Sequence, residues 1–389
     1  MERIKVMYAV WKLNTGGAER IVVNYHNFFK NNCEIIDVKT LCFSCSCGGV
    51  LEKEIDTSDS SVVYIPEFWG KRFPKLISKI STRLFYKEYR KKWFVKMVED
   101  YSPNILHIHL ANLAAELVDV CKKLPKNIKI IYHLHSMPET IGEKQRRKLK
   151  YAIQNKIYNP ICVTNLQLES AIKYYNVPVN TPVVYNGINE NLYSQIVIDD
   201  CEKSNLKKKF GISQNALVIG SVGRGAAIKN YPLIAKAAEI LGQRQNVILC
   251  IAGEIPNDLK TEIRSIVKTA NVVFVGQVAD MGKLYKVMDV FVLASFYESS
   301  SIVTVEAQLS GIPCVISDRI SKEVIISDGV IQLSPETSPD IWAKQILNSV
   351  GKEIHLCDRD RFDFNHSARR LLNIYESLMI NNNCFSSGF

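Results

Sequence analysis

The sequence of 389 residues contains no apolar run near the eighteen or so residues that a membrane-spanning helix needs. Its opening stretch, MERIKVMYAVWKLNTGG, lacks the unbroken apolar core of a signal peptide and runs into a glycine pair. It therefore reads as a first buried strand, and a cytoplasmic protein is expected. There is no internal repeat and no low-complexity tract, and no helix-turn-helix, RNP-like or zinc-finger pattern points to nucleic acid. The dinucleotide fingerprint GxGxxG is missing after the first strand, and Asp37 stands near the start of the second strand rather than its end, so NAD binding is not expected. The one Asp-x-Asp spacing, Asp358-Arg359-Asp360, falls in a charged segment far from the other motifs, so neither a metal nor another cofactor is expected. Eleven cysteines are scattered from Cys33 to Cys384. Cys42, Cys45 and Cys47 lie close together but have no second pair at a ligand-like spacing, so they read as reduced thiols.

What is present is an α/β pattern long enough for two cores. Apolar strands are expected at 4–10, 35–42, 62–65, 105–109, 129–133 and 160–163, and again at 216–222, 247–252, 272–275, 290–293 and 314–317. Between the two series lies VVYNGINENLYSQ, with turn chemistry at Asn186-Gly187. This places domains at 1–190 and 191–365, with a terminal helix and tail at 366–389 that can cross back to the first domain. Two Rossmann-like, doubly wound halves facing one another across a cleft is the expected architecture. The formal charge of +10 sits entirely in the first half: residues 1–185 hold 28 Lys and Arg against 17 Asp and Glu. The two halves therefore face different partners.

Four segments carry chemistry. In VFVLASFYESSSIVTVEAQLSGIPCVISD a strand ends near Ala294 and a helix begins near Ser301, stopped by Gly311 with Pro313 behind it. Ser300 or Ser301 is placed to cap that helix, whose N-terminus suits a phosphate. Glu298 lies in the loop, and Glu306 follows eight residues later. In VIGSVGRGAAIKNYPLIAKAA, Arg224 and Lys229 flank a glycine-containing loop at a strand end, two cations suited to a diphosphate. Gly16 and Gly17 allow close backbone approach to a ligand. His133 and His135 end one strand as His107 and His109 end the one before it, so as many as four histidines share one rim.

In this order the motifs resemble the retaining family-4 glycosyltransferases of bacterial capsule, exopolysaccharide and O-antigen assembly, which have the GT-B fold. The resemblance runs over about residues 4–350: Gly-Gly-Ala-Glu, the His-containing strand end, Asn-Gly-Ile-Asn, Arg-x₄-Lys and Glu-x₇-Glu before Gly-x-Pro. It implies that Arg224 and Lys229 bind a donor diphosphate, that Glu298 lies near the transferred sugar, and that Glu306 holds the ribose. Gly16, Gly17, Ser300, Ser301 and Ile302 would line the donor, and Gln277 and Val278 would flank its base. The cleft histidine would be His135, in the catalytic set with Glu298, Arg224 and Lys229, or in the alternative register His133; His109 and Asn186 are further acceptor-side candidates. The implied reaction moves a sugar from a nucleoside-diphosphate sugar, UDP favoured, to a glycan or lipid-linked glycan with retention and without metal. A nucleotide-sugar epimerase or an inactive sugar-nucleotide-binding protein is the alternative. Where the family usually has glycine, this chain has Ser299 and Ser301.

The basic excess concentrates at 71–98, with ten Lys or Arg and one acid, Glu88. Phe73, Leu76, Ile77, Ile80 and Leu84 recur at helical spacing beside it. An anionic membrane surface is the expected partner, contacted through Arg83, Arg90, Lys91 and Lys92, with Trp93 and Phe94 as interfacial anchors; the alternative is a helix packed on the first domain with a solvated basic face. The protein is thus expected at the inner face of the cytoplasmic membrane.

Overall fold

The computed structural model describes residues 3–14, 16–46, 48–57, 60–67 and 79–380, with the side chains of 79–84 outside the described set. The chain divides into two compact units, Met1–Val184 with Ala368–Phe389, and Tyr185–Ser367.

The first unit alternates β1 (Ile4–Val10), α1 (Gly17–Asn32), β2 (Ile36–Cys42), α2 (Val50–Glu54), β3 (Val62–Tyr64), α3 (Lys79–Tyr101), β4 (Ile105–His109), α4 (Ala111–Cys121), β5 (Lys129–His133), α5 (Glu143–Gln154), β6 (Asn159–Ile161) and α6 (Asn165–Tyr175). The second continues with α7 (Asp200–Lys209), β7 (Leu217–Val222), α8 (Tyr231–Gly242), β8 (Val247–Ala252), α9 (Asn257–Ile266), β9 (Asn271–Gly276), α10 (Met281–Tyr285), β10 (Val290–Leu293), α11 (Ile302–Leu309), β11 (Cys314–Ser317), β12 (Val330–Leu333) and α12 (Pro339–Ser349). A last helix, α13 (Phe364–Ile380), belongs to the first unit from Ala368 onward.

Each unit holds a six-stranded sheet, in the orders β3-β2-β1-β4-β5-β6 and β12-β11-β10-β7-β8-β9. Counted within its own unit, each order is 3-2-1-4-5-6, the doubly wound arrangement. The central strands pair in parallel throughout. Parallel strands covered by helices on both faces read as unbroken apolar runs, which is why VILCIA and VFVL are buried at every residue. The strand order reverses between β1 and β4 and between β7 and β10, and ligands of such sheets bind beyond the carboxyl ends at that reversal.

Two local expectations change. The edge strand β12 was not anticipated: VIQL is four residues, half-buried throughout, and carries Gln332. The helix α11 ends as expected, with Gly311 at φ +80. Its start is not capped by a serine side chain. Ser301 occupies the cap position, but its hydroxyl pairs with Thr304 Oγ1 at 2.9 Å. The amides of Thr304 and Val305 are taken by the Ser301 carbonyl, so this N-terminus offers fewer open donors than the sequence implied.

Candidate functional site

In the second unit, β7 and β10 pair through Ile219 with Val290 and Gly220 with Phe291, so the loops leaving these strands flank the strand-order reversal. After β7 the chain turns at Gly223, whose φ of +155 lies where side chains are rarely tolerated. The Gly223 amide donates to the Ala252 carbonyl at 2.9 Å, and its own carbonyl accepts from the Tyr231 hydroxyl at 3.0 Å. Opposite it, a Cβ on Gly253 would stand 2.2 Å from the Gly223 carbonyl oxygen, so both turns need glycine for close approach. A short 3-10 turn, Ala227–Lys229, and a left-handed Asn230 then aim Lys229 back along the strand end.

Lys229 Nζ lies 2.5 Å from Glu298 Oε1, and both side chains are about five-sixths buried, at 16% and 17% exposure. The Ser295 hydroxyl donates to the same carboxylate oxygen at 3.0 Å. The Phe296 amide donates to the Ile228 carbonyl at 2.8 Å, which ties the two loops together. The structure therefore joins the two motifs into one largely buried charge pair. Arg224 is exposed and makes no ion pair among the described residues. A largely buried cation and an exposed one on the same loop, at a sheet's switch point, are an arrangement that can receive a diphosphate.

Glu306 is held from two sides: Oε1 accepts from the Tyr193 hydroxyl at 2.7 Å and Oε2 from the Tyr285 hydroxyl at 2.9 Å. Burial and the Glu306 charge push the Tyr285 phenol well above its usual range, so it stays a donor. These tyrosines, with Ser295 and Tyr231, were not found from sequence. Their partners are brought to them by the fold, and no short motif joins Tyr193 to a residue 113 positions away. Each oxygen of an ionised carboxylate can accept more than one hydrogen bond. Six residues before it, the Ser300 hydroxyl is buried with no hydrogen-bond partner among the described residues, Ser299 and Ser301 are buried, and Ile302 packs on the unit's core. At the end of β9, Gly276 takes φ +71, Gln277 is exposed, and Val278 turns its side chain onto that core. Asn186 is buried with its Oδ1 unpartnered, next to Gly187, where a Cβ would stand 2.7 Å from Phe364 Cα.

In the first unit, Gly16 occupies the cap position of α1 and Glu19 the third helical position. The Glu19 carboxylate fills the space a Cβ on Gly16 would need, 1.7 Å from its Oε2, so Gly16 has no room for a side chain while Glu19 stays there. The histidines do not line an open rim as their strand-end positions implied. His107, His109 and His133 are wholly buried, and only His135 keeps partial exposure. The reason is a stacked cluster: ring centroids are 4.4 Å apart for His107 and His109, 4.6 Å for His133 and His135, and 5.0 Å for His109 and His135. Desolvation lowers the basicity of all four, His135 to about 3, so they are neutral at ordinary pH.

The membrane-facing reading of α3 needs correction. Arg90 is buried, bonded to Glu116 Oε1 at 2.7 and 3.1 Å, and sandwiched between Trp11 and Tyr86. Trp93 and Phe94 are buried against Phe43, with centroids at 5.4 and 5.6 Å, and anchor the helix to its own core rather than to lipid. Lys91 pairs with Glu88. Lys92 and Lys96 remain exposed, and Phe85 is 64% exposed. Arg83 and the apolar stripe from Phe73 to Leu84 lie outside the residues and side chains described. No described helix is long and apolar enough to cross a membrane.

Comparison with known proteins follows the same lines. Residues 202–359 match the family model described as glycosyl transferases group 1. The EpsF protein of Bacillus subtilis is 34% identical over 147 residues, 37% of this chain and 38% of its own. An Escherichia coli UDP-Gal:alpha-D-GlcNAc-diphosphoundecaprenol alpha-1,3-galactosyltransferase is 30% identical over 166 residues, 41% of this chain and 42% of its own. The aligned part thus spans about two fifths of these curated relatives. The crystal structure of Anabaena HepE with UDP-glucose superposes with a TM-score of 0.73 at 18% identity, covering 96% of this chain and 100% of that one. The fold is the GT-B fold.

Proposed function

We propose that this protein, whose residues 202–359 match the family model described as glycosyl transferases group 1, transfers a sugar from a nucleoside-diphosphate sugar, UDP favoured, to a lipid-linked surface glycan. The observation that carries the proposal is the Lys229–Glu298 pair at the β7–β10 switch point, with Arg224 exposed on the loop that carries Lys229. As the glycosidic bond breaks, negative charge grows on the β-phosphate oxygen. Lys229 meets it as a point charge and Arg224 as a bidentate fork, while α11 adds its positive end. One preorganised donor of this kind is worth about 3 kcal/mol in a transition state. On this reading no metal is needed at the diphosphate. Glu298, already within reach of Lys229, stands on the sugar side, and Glu306 takes the ribose hydroxyls between its two tyrosines.

Retention of anomeric configuration rests on the family resemblance. The UDP and lipid-diphosphate assignments draw support from the Escherichia coli relative, whose name contains both chemistries. His135, the one histidine of its cluster with partial exposure, is assigned to a hydroxyl on the acceptor side. The exposed Lys92 and Lys96 of α3, with the basic segment before it, are assigned to an anionic inner membrane surface. A thermal-shift screen of nucleoside diphosphates and nucleotide sugars tests the donor assignment. A ligand at a hundred times its dissociation constant adds about 2.7 kcal/mol. No shift with any nucleotide would overturn it.

A further inference from the structure

The four clustered histidines pose a problem that the donor site does not answer. His107 and His109 alternate along β4, so both point from one sheet face, and β5 brings His133 into register beside His109. All three are wholly buried, yet among the described residues His107 Nε2, His109 Nε2 and both nitrogens of His133 have no hydrogen-bond partner. An unpaired buried polar group is destabilising, and here four ring nitrogens stand unpaired in one place. One ring nitrogen from each of the three lies within 4.8 Å of the others.

The opposite sides of the rings are occupied. His107 Nδ1 lies 2.6 Å from the Tyr375 hydroxyl, itself 3.1 Å from that of Tyr8, and His109 Nδ1 lies 2.8 Å from His135 Nε2. With the proton on each Nδ1, donated to the Tyr375 hydroxyl and to His135 Nε2, the Nε2 lone pairs of His107 and His109 are left free. Metal-ligating histidines are held in this way, with the second ring nitrogen anchored by an outer partner. We infer that His107, His109 and His133 form a binding site for one divalent transition-metal ion, with Tyr375 and His135 orienting the ligands.

The donor set selects the ion. Three neutral imidazoles with no carboxylate or carbonyl among them suit Zn²⁺, Co²⁺ or Ni²⁺ and not Mg²⁺ or Ca²⁺. Tetrahedral zinc with Zn–N bonds of about 2.0–2.1 Å sets its ligand nitrogens roughly 3.3 Å apart, so the rings close by small χ rotations on binding. Three protein ligands leave a fourth position for water. The site belongs to the first unit and is independent of the diphosphate chemistry proposed for the second.

The test uses the full chain purified without an affinity tag, stripped with chelator and titrated with Co²⁺ and then Zn²⁺. The expected result is about one ion per chain. Co²⁺ should give the visible bands of tetrahedral nitrogen-ligated cobalt, and Zn²⁺ should bleach them. Zn²⁺ should also raise the melting temperature by several degrees, and Mg²⁺ should not. His109→Gln and His133→Gln should each abolish the cobalt bands, and His355→Gln/His366→Gln, at two exposed histidines, should keep them. If wild-type protein shows no tetrahedral cobalt spectrum, the proposal is overturned whatever the variants do. Binding lost in His355→Gln/His366→Gln but kept in His109→Gln overturns it equally.

Discussion

Glu298 and Glu306 sit eight residues apart on one loop and helix, yet their surroundings assign them different work. Glu298 is bonded to a cation, whereas Glu306 is bonded to two neutral hydroxyls. Glu298→Gln should depress kcat while leaving UDP affinity equal or higher, because Lys229 is then released wholly to the phosphates. Glu306→Gln should raise the donor KM several-fold. It should also cost about 1–3 kcal/mol of stability as Tyr193 and Tyr285 lose an ionised acceptor. Steady-state kinetics with thermal melts separates the two, and reversed effects would mean the roles are exchanged. The histidines make a second prediction at this scale. Their neighbours include one another, Tyr8 and Tyr375. Folding holds them neutral well below the ordinary value of 6.5, so below that pH the unfolded chain binds more protons than the native one. Stability of chelator-treated protein should therefore be level above about pH 7.5 and fall as pH drops through 6.5, by up to 1.4 kcal/mol per pH unit per histidine. Melting curves of His109→Gln should show a shallower fall. An identical slope would remove the cluster as the cause.

Among the elements, the buried strands were readable because a parallel strand between helix layers is apolar at nearly every position, and β4, β5, β8 and β10 begin and end where the sequence placed them. The edge strand β12 was not, since half-burial leaves it a mixed composition with no period of its own. The helix α3 shows the complementary failure. Its charge was legible, but which cations face water depends on Glu116, Trp11 and Phe43, all brought from elsewhere in the unit. The consequence is a sharper membrane test than the charge count alone permits. Lys92→Glu/Lys96→Glu should weaken sedimentation with anionic vesicles at low salt and leave the melting temperature nearly unchanged. Arg90→Glu should instead destabilise the protein by about 3–5 kcal/mol, because Glu116 is left beside a like charge in a buried site. If the double lysine variant binds vesicles as wild type does, the exposed face of α3 is not the contact.

For the whole molecule, the repeated strand order places a switch point in each unit, and the motifs legible in the sequence fall at both. Gly16 and the histidines lie at the ends of β1, β4 and β5, and Gly223, Lys229 and Glu298 at the ends of β7 and β10. Local signals found these loops because glycine turns and helix stops are short-range. They did not reveal the Lys229–Glu298 pair, which joins residues 69 apart, nor the burial of the histidines under Tyr375. The two sites also predict different answers to chelation. Transferase activity lost in EDTA and restored by Mg²⁺ would mean that the diphosphate is neutralised by a metal. Loss restored by Zn²⁺ or Co²⁺ but not by Mg²⁺ would point to the histidine site and leave the donor account intact. The most direct measurement is calorimetric titration of UDP in the presence of EDTA into wild type and Arg224→Ala/Lys229→Ala. Each charge-assisted contact contributes about 1.5–3 kcal/mol, so each loss should cost roughly ten- to hundredfold in affinity. Saturable binding by the wild type without metal, collapsing in a double variant that still melts cooperatively, is the predicted result. Equal UDP affinity in the two proteins would contradict the account.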